Sequence, residues 1–172
     1  VVMPCLNEET TIGSCIEKAK KGIQDAGLSG EIVVVDNGST DRSPEIARSM
    51  GARVIHAPER GYGNAFKKGF SEAKGKYLII GDSDDTYDFS QIKPFIDKLK
   101  AGADMVVGSR LTGNIEPGAM PFLHRYFGTP IIAWLLNLFF KTGISDPNSG
   151  MRGLTKEAAQ KMNLQSGGME FA

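Results

Sequence analysis

The sequence predicts an α/β protein with a mainly parallel central sheet, layered as a Rossmann-like three-layer sandwich. Three observations predict it. Short apolar runs rich in β-branched residues alternate with amphipathic runs four times over, the pattern of strand–helix repeats. The strand-like runs have short apolar centres rich in β-branched residues, as in strands buried on both faces. Polar loops follow each of them, on the side where the ligands of such sheets bind.

The strands read as "VVM" (1–3), "EIVVVD" (31–36), "RVIH" (53–56), "KYLIIG" (76–81) and "DMVVGS" (104–109). Ile12, Cys15, Ile16, Ala19, Ile23 and Ala26 lie on one stripe of a first helix, which Gly27 can stop. Ser43 reads as the N-cap of a second, with Pro44 in its first turn and Gly51 as its stop. Ala65, Phe66, Gly69, Phe70 and Ala73 share one face of a third. Ser90 can cap a fourth that uses Ile92, Phe95, Ile96 and Leu99, with Pro94 tolerated in its first turns. Such repeats connect by right-handed crossovers.

After Arg110 the alternation breaks. Residues 111–121 read as a flexible loop and 122–143 as an apolar helical stretch that Pro130 bends or interrupts. Residues 146–155 read as a turn entering a short strand, and Thr155 as the cap of a helix over 155–162.

A chain of 172 residues suits one domain with a proper core. The 20 basic residues balance the 20 acidic ones, which argues against a nucleic-acid coat. Cys5 and Cys15 form no CxxC pair and read as reduced cytosolic thiols. No run of 18 apolar residues exists to span a bilayer. The opening "VVMP" and the ending "GGMEFA" read as those of one domain, 1–172, within a longer protein, with a C-terminal continuation expected.

The most charged stretch is "GDSDDTYDF" (81–89), with Asp82, Asp84, Asp85 and Asp88 crowded at a strand end. In continued strand geometry Asp82 and Asp84 point to one side. There they can hold Mg²⁺ or Mn²⁺ while a diphosphate supplies further oxygens; the alternative is a solvated acidic turn. An EF-hand is rejected, because Thr86 and Tyr87 stand where its loop needs Asp or Asn and then Gly. Asp36 ends the second strand, where it can accept from a base or ribose, or else form an Asx-turn with Asn37 and Gly38. Arg110 can bind phosphate as a fork, with Arg125 and Arg152 as candidates for a second anionic group; each also reads as a surface ion pair. No G-x-G-x-x-G follows the first strand, and neither a P-loop nor a G-x-S-x-G elbow is present. The apolar stretch 127–140 reads as a core or homo-oligomer helix, or as an interfacial helix with Trp134, Arg125 and Lys141 at headgroup level.

Five ordered segments, "MPCLNEE" (3–9), "VVVDNGSTD" (33–41), "GDSDD" (81–85), "VVGSR" (106–110) and "DPNSGMRG" (146–153), resemble those of family 2 glycosyltransferases, over nearly the whole chain. The nearest branch includes dolichol-phosphate mannose synthase and bacterial polyprenyl-phosphate sugar transferases. The resemblance implies a GT-A fold, a nucleotide-sugar donor (GDP-mannose or UDP-glucose-like) and Mg²⁺ or Mn²⁺. It implies that Pro4, Glu8 and Asp36 line the nucleotide pocket, and that Asp82 and Asp84 hold the metal. Asn7, Asn37, Gly38, Gly63 and Ser83 complete the expected donor site. Arg110 and Arg152 would meet phosphates, and Asp146 the acceptor side. Relatives often carry a Pro-containing stretch after the D-x-D, where this chain has Asp85 and Asp88.

The implied reaction is inverting transfer of a sugar to a polyprenyl or dolichyl phosphate at the cytoplasmic membrane face. A phosphate acceptor is mostly dianionic at neutral pH and needs no strong base. Were the acceptor a sugar hydroxyl, Asp146 would be the candidate base. Two rivals are weighed. A nucleotidyltransferase would carry a Gly-rich basic loop where "PCLNEE" stands, and a binding-only domain need not keep Asp82, Asp84 and Arg110.

Overall fold

The computed structural model describes residues 1–110 and 127–171. Its contacts divide the chain into two compact units, Val1–Val106 with Met151–Ala172, and Val107–Gly150. The first contains β1 (Val2–Cys5), α1 (Ile12–Asp25), β2 (Val33–Asp36), α2 (Ser43–Ser49), β3 (Arg53–His56), α3 (Tyr62–Glu72), β4 (Tyr77–Ile80) and α4 (Lys93–Lys100). β5 (Met105–Val107) leads out of it, the second unit holds α5 (Thr129–Phe140), and β6 (Arg152–Thr155) and α6 (Lys156–Lys161) return to it.

The six strands form one sheet in the order β3-β2-β1-β4-β6-β5. β1 pairs in parallel with both β2 and β4, and β2 with β3. β6 is antiparallel to β4, bringing Arg152 opposite Ile80. The sheet is therefore mixed, α/β and mostly parallel, as the repeats predict.

Side chains on each strand alternate between two cores. Met3, Val34 and Ile79 pack with α1, α2 and α4 through residues such as Ile12, Ile16, Ala47 and Ile96. Val2, Val33, Val35, Leu78 and Leu154 pack on the other face with Phe66 and Phe70 of α3 and Ala159 of α6. Both cores are almost fully buried, and each Val, Leu, Ile, Phe or Met side chain in them contributes about 1.5–3 kcal/mol on burial. α3 sits close because Gly69 has no Cβ, which would strike the Val2 methyl. The edge strands depart from the expectation of burial on both faces. β3 is only half-buried and β5 is partly exposed, since an edge strand has a neighbour on one side alone.

Two local expectations are corrected. Ser43 is the first residue of α2 and Arg42 its N-cap position; the Ser43 hydroxyl instead accepts from the Glu8 N–H at 2.7 Å. Ser90 does not cap α4. Asp88 accepts from the Ser90 N–H and opens a 3₁₀ turn at Phe89–Ile92, after which α4 starts with Pro94 in its first turn. Pro130 stands in the first turn of α5, directly after a helical turn of π type at 127–128, and the part of the stretch before 127 lies outside the described residues. Thr155 caps α6 as expected, accepting from the Ala158 N–H at 3.0 Å. The flexible loop read at 111–121 and Arg125 lie outside the described residues.

Candidate active site

The loops after β1 and β2 are laced together by their own polar side chains. The Asn7 side-chain oxygen Oδ1 accepts from the Thr40 N–H at 2.7 Å, and the Asn7 backbone N–H donates to the Ser39 hydroxyl at 3.1 Å. Glu9 donates its N–H to Asp41 and accepts from the Arg42 N–H. Asn7 holds a left-handed φ of 61°, which Asn tolerates better than most residues. Asn7 and Glu8 therefore order this rim through contacts within the protein.

Asp36 stands at the end of β2. One of its oxygens accepts from the Ser39 N–H at 3.0 Å, three residues on; the other lies 3.4 Å from His56 Nδ1. Burial pushes the Asp36 carboxyl up, but the Ser39 hydrogen bonds outweigh it and hold the group below its usual value. The site thus presents an ionised carboxylate. Asn37 is buried and committed to the loop that follows β3. Its amide donates to the Ala57 and Glu59 carbonyls, and its oxygen accepts from the Gly61 N–H at 2.8 Å. Gly38 has φ 97°, and the Arg60 guanidinium lies where a side chain would project. The Gly63 N–H donates to the Gly168 carbonyl at 3.2 Å.

At the end of β4, Ser83 is buried and donates to the Pro4 carbonyl at 2.6 Å, joining two strand ends. Tyr62, which opens α3, donates its hydroxyl to Asp82 at 2.6 Å. Burial raises the Asp82 carboxyl above its ordinary value; Asp84 adds to the rise, while Tyr62 and Arg152 oppose it. Asp84 is exposed and accepts from the Thr86 N–H at 2.9 Å. Among the described residues, no three or more His, Cys, Asp or Glu side chains form a group able to hold a metal. The Asp82–Asp84 pair nonetheless fits Mg²⁺ or Mn²⁺ in kind. These hard cations take carboxylate oxygens and complete their shells with water and phosphate. Tyr62 is the site residue that sequence reasoning missed; "GYGN" carries no local signal that its aromatic ring reaches the β4 end.

In the second unit, Arg110 and Asp146 form a fork. Arg110 Nε and Nη2 donate to the two Asp146 oxygens at 2.8 and 2.9 Å, and the Arg110 N–H adds a third bond at 3.0 Å. Asp146 is fully buried, whereas Arg110 is about one-third exposed. Burial pushes the Asp146 carboxyl up, yet Arg110 wins and holds it below its usual value. A carboxylate with both oxygens engaged and a lowered pKa is a weak base; it is well made to orient Arg110. A depressed folded pKa means stabilisation present above the unfolded pKa of about 4 and lost as pH falls through the folded pKa. Thermal melts of the wild type and of Asp146→Asn across pH 3–7 check this. The stability gap between them is expected to be constant above about pH 5 and to close below about pH 4.

A mostly parallel sheet with an antiparallel strand inserted beside β4, and an acidic pair closing that strand, is the architecture of a GT-A glycosyltransferase. The chain belongs to glycosyl transferase family 2, whose sequence profile matches residues 1–162. A relative named low-salt glycan biosynthesis hexosyltransferase Agl6, from Haloferax volcanii, is 47% identical over all of this chain and 42% of its own length. A dolichyl-phosphate hexose transferase of the same organism is 38% identical over 91% of this chain and 66% of its own. Among solved structures, glucosyl-3-phosphoglycerate synthase from Mycobacterium tuberculosis, in complex with Mn²⁺ and UDP-glucose, superposes with a TM-score of 0.66. It is 26% identical, covering 91% of this chain and 55% of that one. The chain thus spans between 42% and 66% of the length of these proteins.

Proposed function

We propose that this domain transfers a hexose from a nucleoside-diphosphate donor to a polyprenyl or dolichyl phosphate at the cytoplasmic face of a membrane, with inversion. The carboxylate pair closing β4 carries the reading. Asp82 and Asp84 would hold Mg²⁺ or Mn²⁺, which when bound neutralises charge on the leaving diphosphate. Asp36, ionised at the end of β2, offers an acceptor for a base or ribose N–H or O–H. Tyr62 fixes the Asp82 side chain, and Ser83 fixes the strand end. Arg110, oriented by Asp146 through Nε and Nη2, would turn its other guanidinium N–H groups to a phosphate. Arg152, opposite Ile80, adds positive charge near Asp82. The dianionic acceptor needs no general base, in keeping with the engagement of Asp146.

The relatives named for dolichyl phosphate support the lipid acceptor. So does α5, on which Trp134, Phe139 and Phe140 are 61%, 70% and 71% exposed, beside exposed Ile131 and Leu138. No helix among the described residues is long and apolar enough to cross a membrane. An interfacial seat suits such a face. The chain is expected to float with anionic liposomes and to shift Trp134 fluorescence to the blue. The pair Leu138→Glu and Phe139→Glu is expected to weaken binding at least tenfold. Sedimentation as a dimer, with no flotation, would instead favour an oligomer face.

The direct test has two stages. Thermal shift with Mn²⁺ and a panel of UDP- and GDP-sugars identifies the donor; a hundredfold excess over Kd stabilises by about 2.7 kcal/mol. Radiolabelled donor is then presented with polyprenyl phosphate in liposomes. Label entering the lipid phase only with metal supports the proposal. Transfer to a soluble sugar hydroxyl, or donor binding without transfer, refutes the lipid reading.

A further inference from the structure

The four carboxylates after β4 have separate tasks. Asp88 is used on the Ser90 N–H at 3.0 Å. Asp85 is turned onto α1. One of its oxygens accepts from Lys18 Nζ at 2.7 Å and from the Cys15 thiol at 3.7 Å, and the other from the Ser14 hydroxyl at 3.1 Å. These donors lie within five consecutive residues of a single helix, and they are 67 to 71 residues away from Asp85 in the chain. Cys15 remains a thiol, because burial pushes its pKa up to about 12.

The backbone at Asp85 is left-handed, φ 66°, a conformation that Asp and Asn adopt more readily than most non-glycine residues. Two residues earlier, Ser83 is buried and bonded to the Pro4 carbonyl. Along this turn the odd positions, 83 and 85, are fastened to β1 and α1. Between them Asp84 stands exposed. A cation seeking Asp85 would have to displace an ammonium at 2.7 Å.

We propose that Asp85 is a positioning residue for the metal site. Its lock onto Lys18, Ser14 and Cys15 of α1 sets the turn on which Asp82 and Asp84 meet a divalent cation–diphosphate. This rests on the metal role proposed above for those two residues. The function of Asp85 is to fix the backbone on one side of Asp84, as Ser83 does on the other. α1 thereby becomes part of the metal site without contacting the metal.

The test measures Mn²⁺ binding, by the electron paramagnetic resonance of free Mn²⁺, with saturating UDP and then with saturating GDP. Asp85→Asn keeps a residue that accepts left-handed φ but removes the charge. Lys18→Met removes the partner from the α1 side, so the test stands even if one variant folds poorly. Each single change is expected to raise the Mn²⁺ Kd about tenfold. The double variant is expected to be no worse than Asp85→Asn, because the two act as one unit. Nucleotide binding without metal is expected to be unchanged. A purely structural ion pair would lower the melting temperature and leave the Mn²⁺ Kd at the wild-type value, which overturns the proposal. Additive effects overturn it as well. Absence of Mn²⁺–diphosphate binding in the wild type removes the metal site itself, a distinct result from an unaltered Asp85→Asn.

Discussion

Asp84→Ala is expected to lose about three orders of magnitude in metal-dependent donor turnover, equivalent to about 4 kcal/mol of transition-state stabilisation. The size follows from what the residue is proposed to do. Breaking the bond from sugar to diphosphate builds charge on the leaving oxygens, and a lost carboxylate loosens the cation that would neutralise them. The fold is expected to survive. Asp84 is exposed and accepts the Thr86 N–H, so stability should move by no more than about 0.5 kcal/mol. Rates of donor hydrolysis and transfer at saturating Mn²⁺, read beside a urea melt, give both numbers. Wild-type turnover in Asp84→Ala would remove the metal from the mechanism.

The second large effect is on stability and is asymmetric. Arg110→Ala strands a fully buried Asp146 carboxylate without its fork, and such breaks cost about 3–5 kcal/mol. Asp146→Ala leaves an Arg110 guanidinium about one-third exposed, which water can partly solvate. Its cost is expected to be smaller by about 1 kcal/mol or more. The double variant is expected to be more stable than Arg110→Ala alone, since no buried charge is left over. Trp134 is the chain's one tryptophan and lies in the same unit, so its fluorescence in urea reports this unit directly. Equal costs for the two single variants would show that Asp146 is not the more deeply buried partner.

Much of the fold was legible because burial on both faces leaves a plain mark on a strand. The runs at 33–35 and 78–80 are uninterruptedly apolar, and that alone places them in the sheet's interior. β6 was legible as a strand but not as an antiparallel one. Its four residues, Arg152–Thr155, say nothing about which neighbour they join or in which direction. The acid pair Asp82 and Asp84 was readable because spacing and strand end coincide. What surrounds it was not. Tyr62 reaches Asp82 only because α3 begins beside the end of β4, and Asp85 meets Lys18 of α1 across a sequence separation of 67. Asn37 shows the converse difficulty. The same loop chemistry that suits a ligand also suits the chain's own carbonyls, and here three backbone groups take up its amide.

The antiparallel seam between β4 and β6 has an evolutionary consequence. Because β6 and β5 are neighbours in the sheet, the chain leaves at Val107 and re-enters by Met151 along adjoining strands. Whatever is strung between those two points can be lengthened, shortened or replaced without altering the pairing of any other strand. The strand pairing that frames the β4 end is thereby insulated from change in that segment, so one inherited sheet can carry insertions of many lengths.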